Sequence, residues 1–127
     1  MPGGAKPSRV LVVDDDASLR LLCRVNLELD GYEVREAATL DAARAIVATE
    51  PVSVVLLDLH VGRERGEILL DELRSREPRI PVVVISGSSD VEAGELRLPA
   101  DAVLGKPFTI EALRDTVRSL AALGSAR

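Results

Sequence analysis

Aromatic rings are nearly absent: the 127 residues carry one Phe, one Tyr and no Trp, alongside one Cys, one Met and one His. A single cysteine cannot build a disulfide framework within one chain. Cys23 falls inside an apolar helical pattern, where a small core residue is the natural reading. A reducing compartment and a cytoplasmic protein are therefore expected. No apolar run approaches the length of a membrane span, and Met1–Ser8 lacks the apolar segment of a secretion signal. No membrane partner is expected. Positive charge is short as well: 16 Lys and Arg face 21 Asp and Glu, for a net charge of −5. That balance disfavours a broad attraction to nucleic acid or anionic lipid, and direct DNA binding with it. Internal repeats and low-complexity segments are also missing.

What is present suits one soluble domain. Apolar residues make up 46% and charged residues 29% of a chain long enough to bury a core without disulfides or metal. Short β-branched runs alternate with longer helical stretches, the pattern of an α/β fold with a doubly wound, five-stranded parallel sheet. The runs are Arg9–Val13, Tyr32–Ala37, Val52–Leu57, Ile80–Ile85 and Ala102–Leu104. The first, third and fourth are almost wholly apolar, as central strands covered on both faces should be, whereas the second alternates like an edge. Helices are expected over Ala17–Asp30 before Gly31, Leu40–Thr49 after the cap Thr39, Gly66–Arg76 and Ile110–Leu123 after Thr109, the last stopping at Gly124. A shorter one is expected over Asp90–Leu98, interrupted by Gly94 and ended by Pro99. Met1–Ser8 and Gly124–Arg127 read as loose tails around a single domain, Arg9–Leu123.

Chemistry is sought at the carboxyl ends of such strands, where doubly wound sheets hold their ligands. Asp14-Asp15-Asp16 follow the first run, Asp58 the third, Ser86-Gly87 the fourth and Gly105-Lys106-Pro107 the fifth. Carboxylates gathered there, away from any arginine, repel one another unless a cation sits among them. An octahedral Mg²⁺ held by carboxylates, a carbonyl and waters meets that need. Singly, each piece is ordinary: Asp after a strand often caps a helix, as expected of Asp16, and a lone Lys106 reads as a solvated surface residue. Four polar strand ends on one edge indicate a shared site.

These residues carry a family resemblance. Val12-Val13-Asp14-Asp15, Leu57-Asp58 with Gly66 eight residues on, Ser86-Gly87 and Lys106-Pro107-Phe108 resemble, in type, order and spacing, the receiver domain of two-component response regulators, across Arg9–Leu123. The resemblance implies a flavodoxin-like, chemotaxis-regulator-like fold and a signalling domain that catalyses only its own phosphorylation and dephosphorylation. It implies that Asp58 accepts a phosphoryl group from a phosphohistidine on a sensor histidine kinase or histidine phosphotransfer protein. Asp15, Asp58 and the backbone carbonyl of His60 would hold Mg²⁺, with Asp14 acting through a bound water. Lys106 would pair with the phosphoryl group, Ser86 would donate to it, and Gly87 would keep the approach open. Lys106-Pro107 is expected to be cis, as in the family. The switched protein would act on a downstream target or as a homodimer, or pass phosphate onward. With nothing after Leu123 resembling an effector, a stand-alone receiver is expected.

Departures from the family pattern mark the output side. Val103 stands three residues before Lys106, where many receivers carry a ring that moves with the hydroxyl residue; coupling is therefore expected through the Ser86–Asp90 loop, the first helix or dimer contacts. His60 and Ser88 are candidate modulators of the acyl phosphate, with a plain exposed loop histidine as the alternative. The loop Val61–Arg65 lacks the proline often found there and brings two arginines, read either as steering groups or as a solvated, internally paired loop. Two other functions stay open on these residues: a receiver-like module that binds partners without phosphorylation, and a haloacid-dehalogenase-like phosphatase with Asp14 as nucleophile, then Asp16, Ser86 and Lys106.

Overall fold

The computed structural model describes residues 8–87 and 101–125. Five parallel strands form one sheet: β1 (Arg9–Val13), β2 (Glu33–Ala37), β3 (Val54–Asp58), β6 (Val82–Gly87) and β7 (Ala102–Lys106), in the order β2-β1-β3-β6-β7. Two short strands, β4 (His60–Val61) and β5 (Glu64–Arg65), pair as a separate antiparallel hairpin. The helices are α1 (Ala17–Leu29), α2 (Leu40–Thr49), α3 (Glu67–Arg74) and α4 (Ile110–Ser125). This is the doubly wound α/β architecture expected from the alternation of runs, with β2 at one edge and the most apolar strands in the middle. The Asp90–Leu98 helix and Ser88 lie outside the described residues.

The sheet buries both faces because successive side chains point opposite ways. Leu11, Val13, Val55, Leu57, Val82 and Val84 face one way and pack with α2 and α3 through Leu40, Val47, Leu69, Leu70 and Leu73. Val10, Val12, Val54, Leu56, Val83 and Ile85 face the other way and pack with α1 and α4 through Cys23, Leu27, Leu113 and Val117. Cys23 is wholly buried, and desolvation pushes its thiol up to about 12, so it stays protonated and acts as a small apolar residue. Tyr32 and Phe108, the two rings of the chain, pack against this second layer.

Local signals set the helix ends. The Asp16 carboxylate accepts from the backbone N–H of Ser18 (2.9 Å) and Leu19 (3.4 Å), and the Thr39 hydroxyl accepts from Ala42 (3.1 Å), each satisfying a donor left open at a helix start. At the end of α1, Tyr32 N–H donates to Leu27 and Gly31 N–H to Glu28, the two bonds of a Schellman motif. Gly31 sits at φ 93°, a left-handed conformation that favours glycine. Arg114 of α4 grips the Asp30 carboxylate through both Nε (2.8 Å) and Nη2 (2.5 Å), which ties α4 to this helix end.

Boundaries differ from the sequence expectation in one consistent way. β3 runs to Asp58, β6 to Gly87 and β7 to Lys106, so the polar residues expected after the strands are their last members. The ladder extends because partners continue in register, Asp58 beside Ile85, Ser86 beside Gly105 and Gly87 beside Lys106. The third helix is shorter than Gly66–Arg76, with Gly66 as its cap, and the last passes Gly124 to end at Ser125. The segment Val61–Arg65, expected as a loop, is a hairpin. Its two-residue turn places Gly62 at φ 63° as the first central residue, followed by Arg63 at negative φ, as in a type II′ turn.

Leu57 is completely buried between strands and helices. Leu57→Ala should lower unfolding free energy by about 2–5 kcal/mol, read as a lower urea midpoint with an unchanged slope.

Candidate functional site

Four strand ends deliver the acids, the hydroxyl and the lysine. β1 ends just before Asp14, which is wholly buried; β3 ends on Asp58, 6% exposed; β6 carries Ser86, 1% exposed. These are the buried polar residues among those described. β7 brings in Lys106, whose Nζ lies 2.9 Å from Asp58 Oδ2 and 3.6 Å from Asp14 Oδ2. The sheet thus assembles Asp14, Asp15, Asp58 and Lys106 at one edge. Ser86 and Gly87 pair there with Gly105 and Lys106 of the neighbouring strand.

Backbone donors fix the carboxylates. His60 N–H donates to Asp58 Oδ1 (2.9 Å), and Asp16 N–H donates to Asp14 Oδ1 (2.9 Å). Asp14 N–H donates to Ala37 of β2, and Leu59 N–H to Ile85 of β6, so hydrogen bonding continues past the formal strand ends. Gly66 lies hard against β3: a Cβ there would collide with the backbone carbonyl oxygen of Asp58. Its place in the motif reflects this close approach, since its φ of −61° is open to any residue.

One arginine belongs to the site although the sequence pattern gave it no role. Arg20 of α1 donates from Nη1 to the Asp14 backbone carbonyl (2.7 Å) and from Nε to Glu36 of β2 (3.1 Å). The carboxylate cluster is therefore not remote from arginine, as the sequence order suggested. α1 places Arg20 one turn beyond the Asp16 cap, a proximity that strand-end reading alone does not expose. The arginines of the hairpin behave differently: Arg65 pairs with Glu67 (2.9 Å) and Arg63 sits exposed at the turn. The His60 side chain is exposed, and Val103 of β7 is 40% exposed. The Lys106–Pro107 peptide is cis.

Burial raises the Asp14 carboxyl from 3.8 to about 6; the Asp16 N–H opposes this, the Asp58 charge reinforces it and Lys106 offsets part of it. Burial also works against the Lys106 ammonium, but its hydrogen bond to Asp58 and the charges of Asp14 and Asp58 outweigh that and hold its pKa above the ordinary value. One carboxylate oxygen from each of Asp14, Asp15 and Asp58 lies within 4.8 Å of the others, and Asp14 Oδ2 is buried without a hydrogen-bond donor. An all-oxygen cluster with a buried, unpartnered acceptor suits a hard divalent cation such as Mg²⁺.

A family model described as the response regulator receiver domain matches residues 10–118. The chain belongs to the response regulator receiver family. It is 34% identical over 114 residues to a probable transcriptional regulator ycf27 of Porphyridium aerugineum, covering 88% of this chain and 47% of that protein. It is likewise 34% identical over 116 residues to the response regulator MprA of Mycolicibacterium vanbaalenii, covering 90% and 50%. The chain thus spans half or less of these relatives. The receiver domain of NtrX from Brucella abortus superimposes with a TM-score of 0.81 at 32% identity, covering 89% of this chain and 98% of that one. A CheY-like receiver domain protein from Methanospirillum hungatei gives 0.82 at 26% identity, covering 94% and 98%. Family membership sets aside the dehalogenase-like phosphatase. Among the described residues no helix is long and apolar enough to cross a membrane.

The raised Asp14 pKa has a definite sign in the metal-free protein. The folded state holds this proton more tightly than the unfolded chain, so stability present at acid pH is lost as pH rises from about 4 through 6. Asp14→Asn should remove that loss and, in chelator at pH 7.5, stabilise the fold by about 1–3 kcal/mol; equal pH dependence of urea midpoints in variant and wild type would refute it. Gly66→Ala should destabilise by roughly 1–3 kcal/mol through the forced displacement of β3, measured the same way.

Proposed function

We propose that this receiver accepts a phosphoryl group on Asp58 from a phosphohistidine of a sensor histidine kinase or histidine phosphotransfer protein, in a Mg²⁺-dependent reaction that switches its protein contacts. The observation that carries this reading is the Lys106 ammonium, 2.9 Å from Asp58 Oδ2, set beside three gathered carboxylates. An Asp58 carboxylate oxygen forms the new P–O bond as the P–N bond breaks, and the electron pair leaves with the imidazole. Lys106 then faces a phosphoryl oxygen in place of a carboxylate, a stronger demand on the same charge. Ser86 and the backbone at Gly87 flank that position from β6. The residues that would hold Mg²⁺ are Asp15, Asp58 and the His60 backbone, with Asp14 behind them, and the ion would neutralise charge on the phosphoryl oxygens. Phosphoryl transfer asks mainly for position and electrostatics, which rigid strand ends supply.

Support for a protein donor comes from α1. It starts beside Asp15 and exposes Leu21, Leu22, Val25 and Leu29 on one face, a run of large apolar side chains on a charged surface. A partner seated on that face reaches the phosphorylation site from the same side.

Incubation with acetyl phosphate and Mg²⁺ should add one phosphoryl group by intact mass, and Asp58→Asn should abolish it. Modification that persists in Asp58→Asn would overturn the assignment. Leu22→Glu with Val25→Glu should slow transfer from the cognate kinase tenfold or more while leaving acetyl phosphate labelling unchanged.

A further inference from the structure

Asp15 is the exposed member of the acidic group, and among the described residues no hydrogen bond reaches its side chain. Its carboxylate is aimed by its backbone, and both peptides flanking it are tied. The peptide after it is held by Asp16 N–H on Asp14 Oδ1 (2.9 Å), and the peptide before it by Arg20 Nη1 on the Asp14 carbonyl (2.7 Å). Arg20 is itself braced. Its Nε meets Glu36 Oε1 at 3.1 Å, the other oxygen of Glu36 accepts from Arg24 (3.1 Å), and the Arg20 side chain is only 16% exposed.

We propose that Arg20 is a positioning residue for the cation pocket: by clamping the Asp14 carbonyl against α1 and β2, it holds the Asp15 carboxylate ready to ligate Mg²⁺. This rests on the metal-dependent phosphoacceptor reading above. The guanidinium suits the role because two of its three nitrogens engage two acceptors at once, where a lysine offers a single nitrogen. Preorganisation of an exposed ligand decides affinity because a loosely held carboxylate must be ordered when the ion binds.

Charge and position make opposite predictions for this residue. Were Arg20 only a nearby cation, Arg20→Met would remove repulsion and tighten Mg²⁺ binding, and Arg20→Lys would leave it unchanged. As a clamp, its loss weakens binding in both variants.

Mg²⁺ titration by calorimetry on the unphosphorylated protein separates the two. Arg20→Met and Arg20→Lys should each raise the Kd about tenfold, and amide exchange at Asp15 and Asp16 should quicken in metal-free protein. Arg35→Met, whose native guanidinium pairs with Glu50 (2.9 Å) and with neither Asp14 nor Glu36, should stay within about twofold of wild type on the same scale. If Arg20→Met does not fold, Arg20→Lys carries the test. A Kd in the folded variants equal to or tighter than wild type would overturn the inference alone. No Mg²⁺ binding by the wild-type protein would overturn the metal-dependent reading beneath it.

Discussion

Two carboxylates held out of water with one ammonium between them dominate the carboxyl edge of this sheet. Asp14 is wholly buried, Asp58 nearly so, and Lys106 lies within 4 Å of both. One positive charge cannot balance two buried negative ones and the exposed Asp15 beside them, so the site keeps an excess of negative charge in a poorly screened place. The arrangement persists because the strands that carry it are over-determined by packing. β1, β3 and β6 are covered on both faces, and a shift of one residue in any of them would exchange its two apolar faces and carry its terminal polar group out of register.

Around this centre the irregular segments divide the work. Gly66 lets the start of α3 press against the Asp58 carbonyl, and the β4–β5 hairpin closes the chain between them with a tight turn. The hairpin adds little net charge, since Arg65 is paired with Glu67 and Glu64 stands beside Arg63. On the opposite side α1 does three things at once. Asp16 caps it, Arg20 reaches back to the Asp14 carbonyl, and its outer face offers Leu21, Leu22, Val25 and Leu29 to whatever approaches the site. This helix begins at the acidic pocket, carries an exposed apolar face and is tied to α4 through Asp30 and Arg114.

Membership in the receiver family places the chain in signalling by response regulators, and its relatives extend beyond the portion it matches. Val103 lies on the edge strand β7 beside Val84, and the two rings of the chain, Tyr32 and Phe108, pack with the α1 and α4 layer. An aliphatic residue on that edge has no planar group to turn between two packed positions.

The sequence by itself determined the fold class, the central and edge strands, the caps Asp16 and Thr39, and which acids and lysine stand at strand ends. Those features follow from local periodicity and from residue chemistry at positions the chain order alone specifies. Tertiary structure decided the rest, because it depends on contacts between distant segments. The true strand ends, one to two residues later than the apolar runs, are set by hydrogen bonds from neighbouring strands. The reach of Arg20 to Asp14 follows from the first turn of α1 setting it back over the end of β1, and its brace by Glu36 from the placement of β2 beside β1. The buried Asp14 Oδ2, without a hydrogen-bond donor, and its raised pKa arise only when folding excludes water from a carboxylate that is ordinary in the unfolded chain.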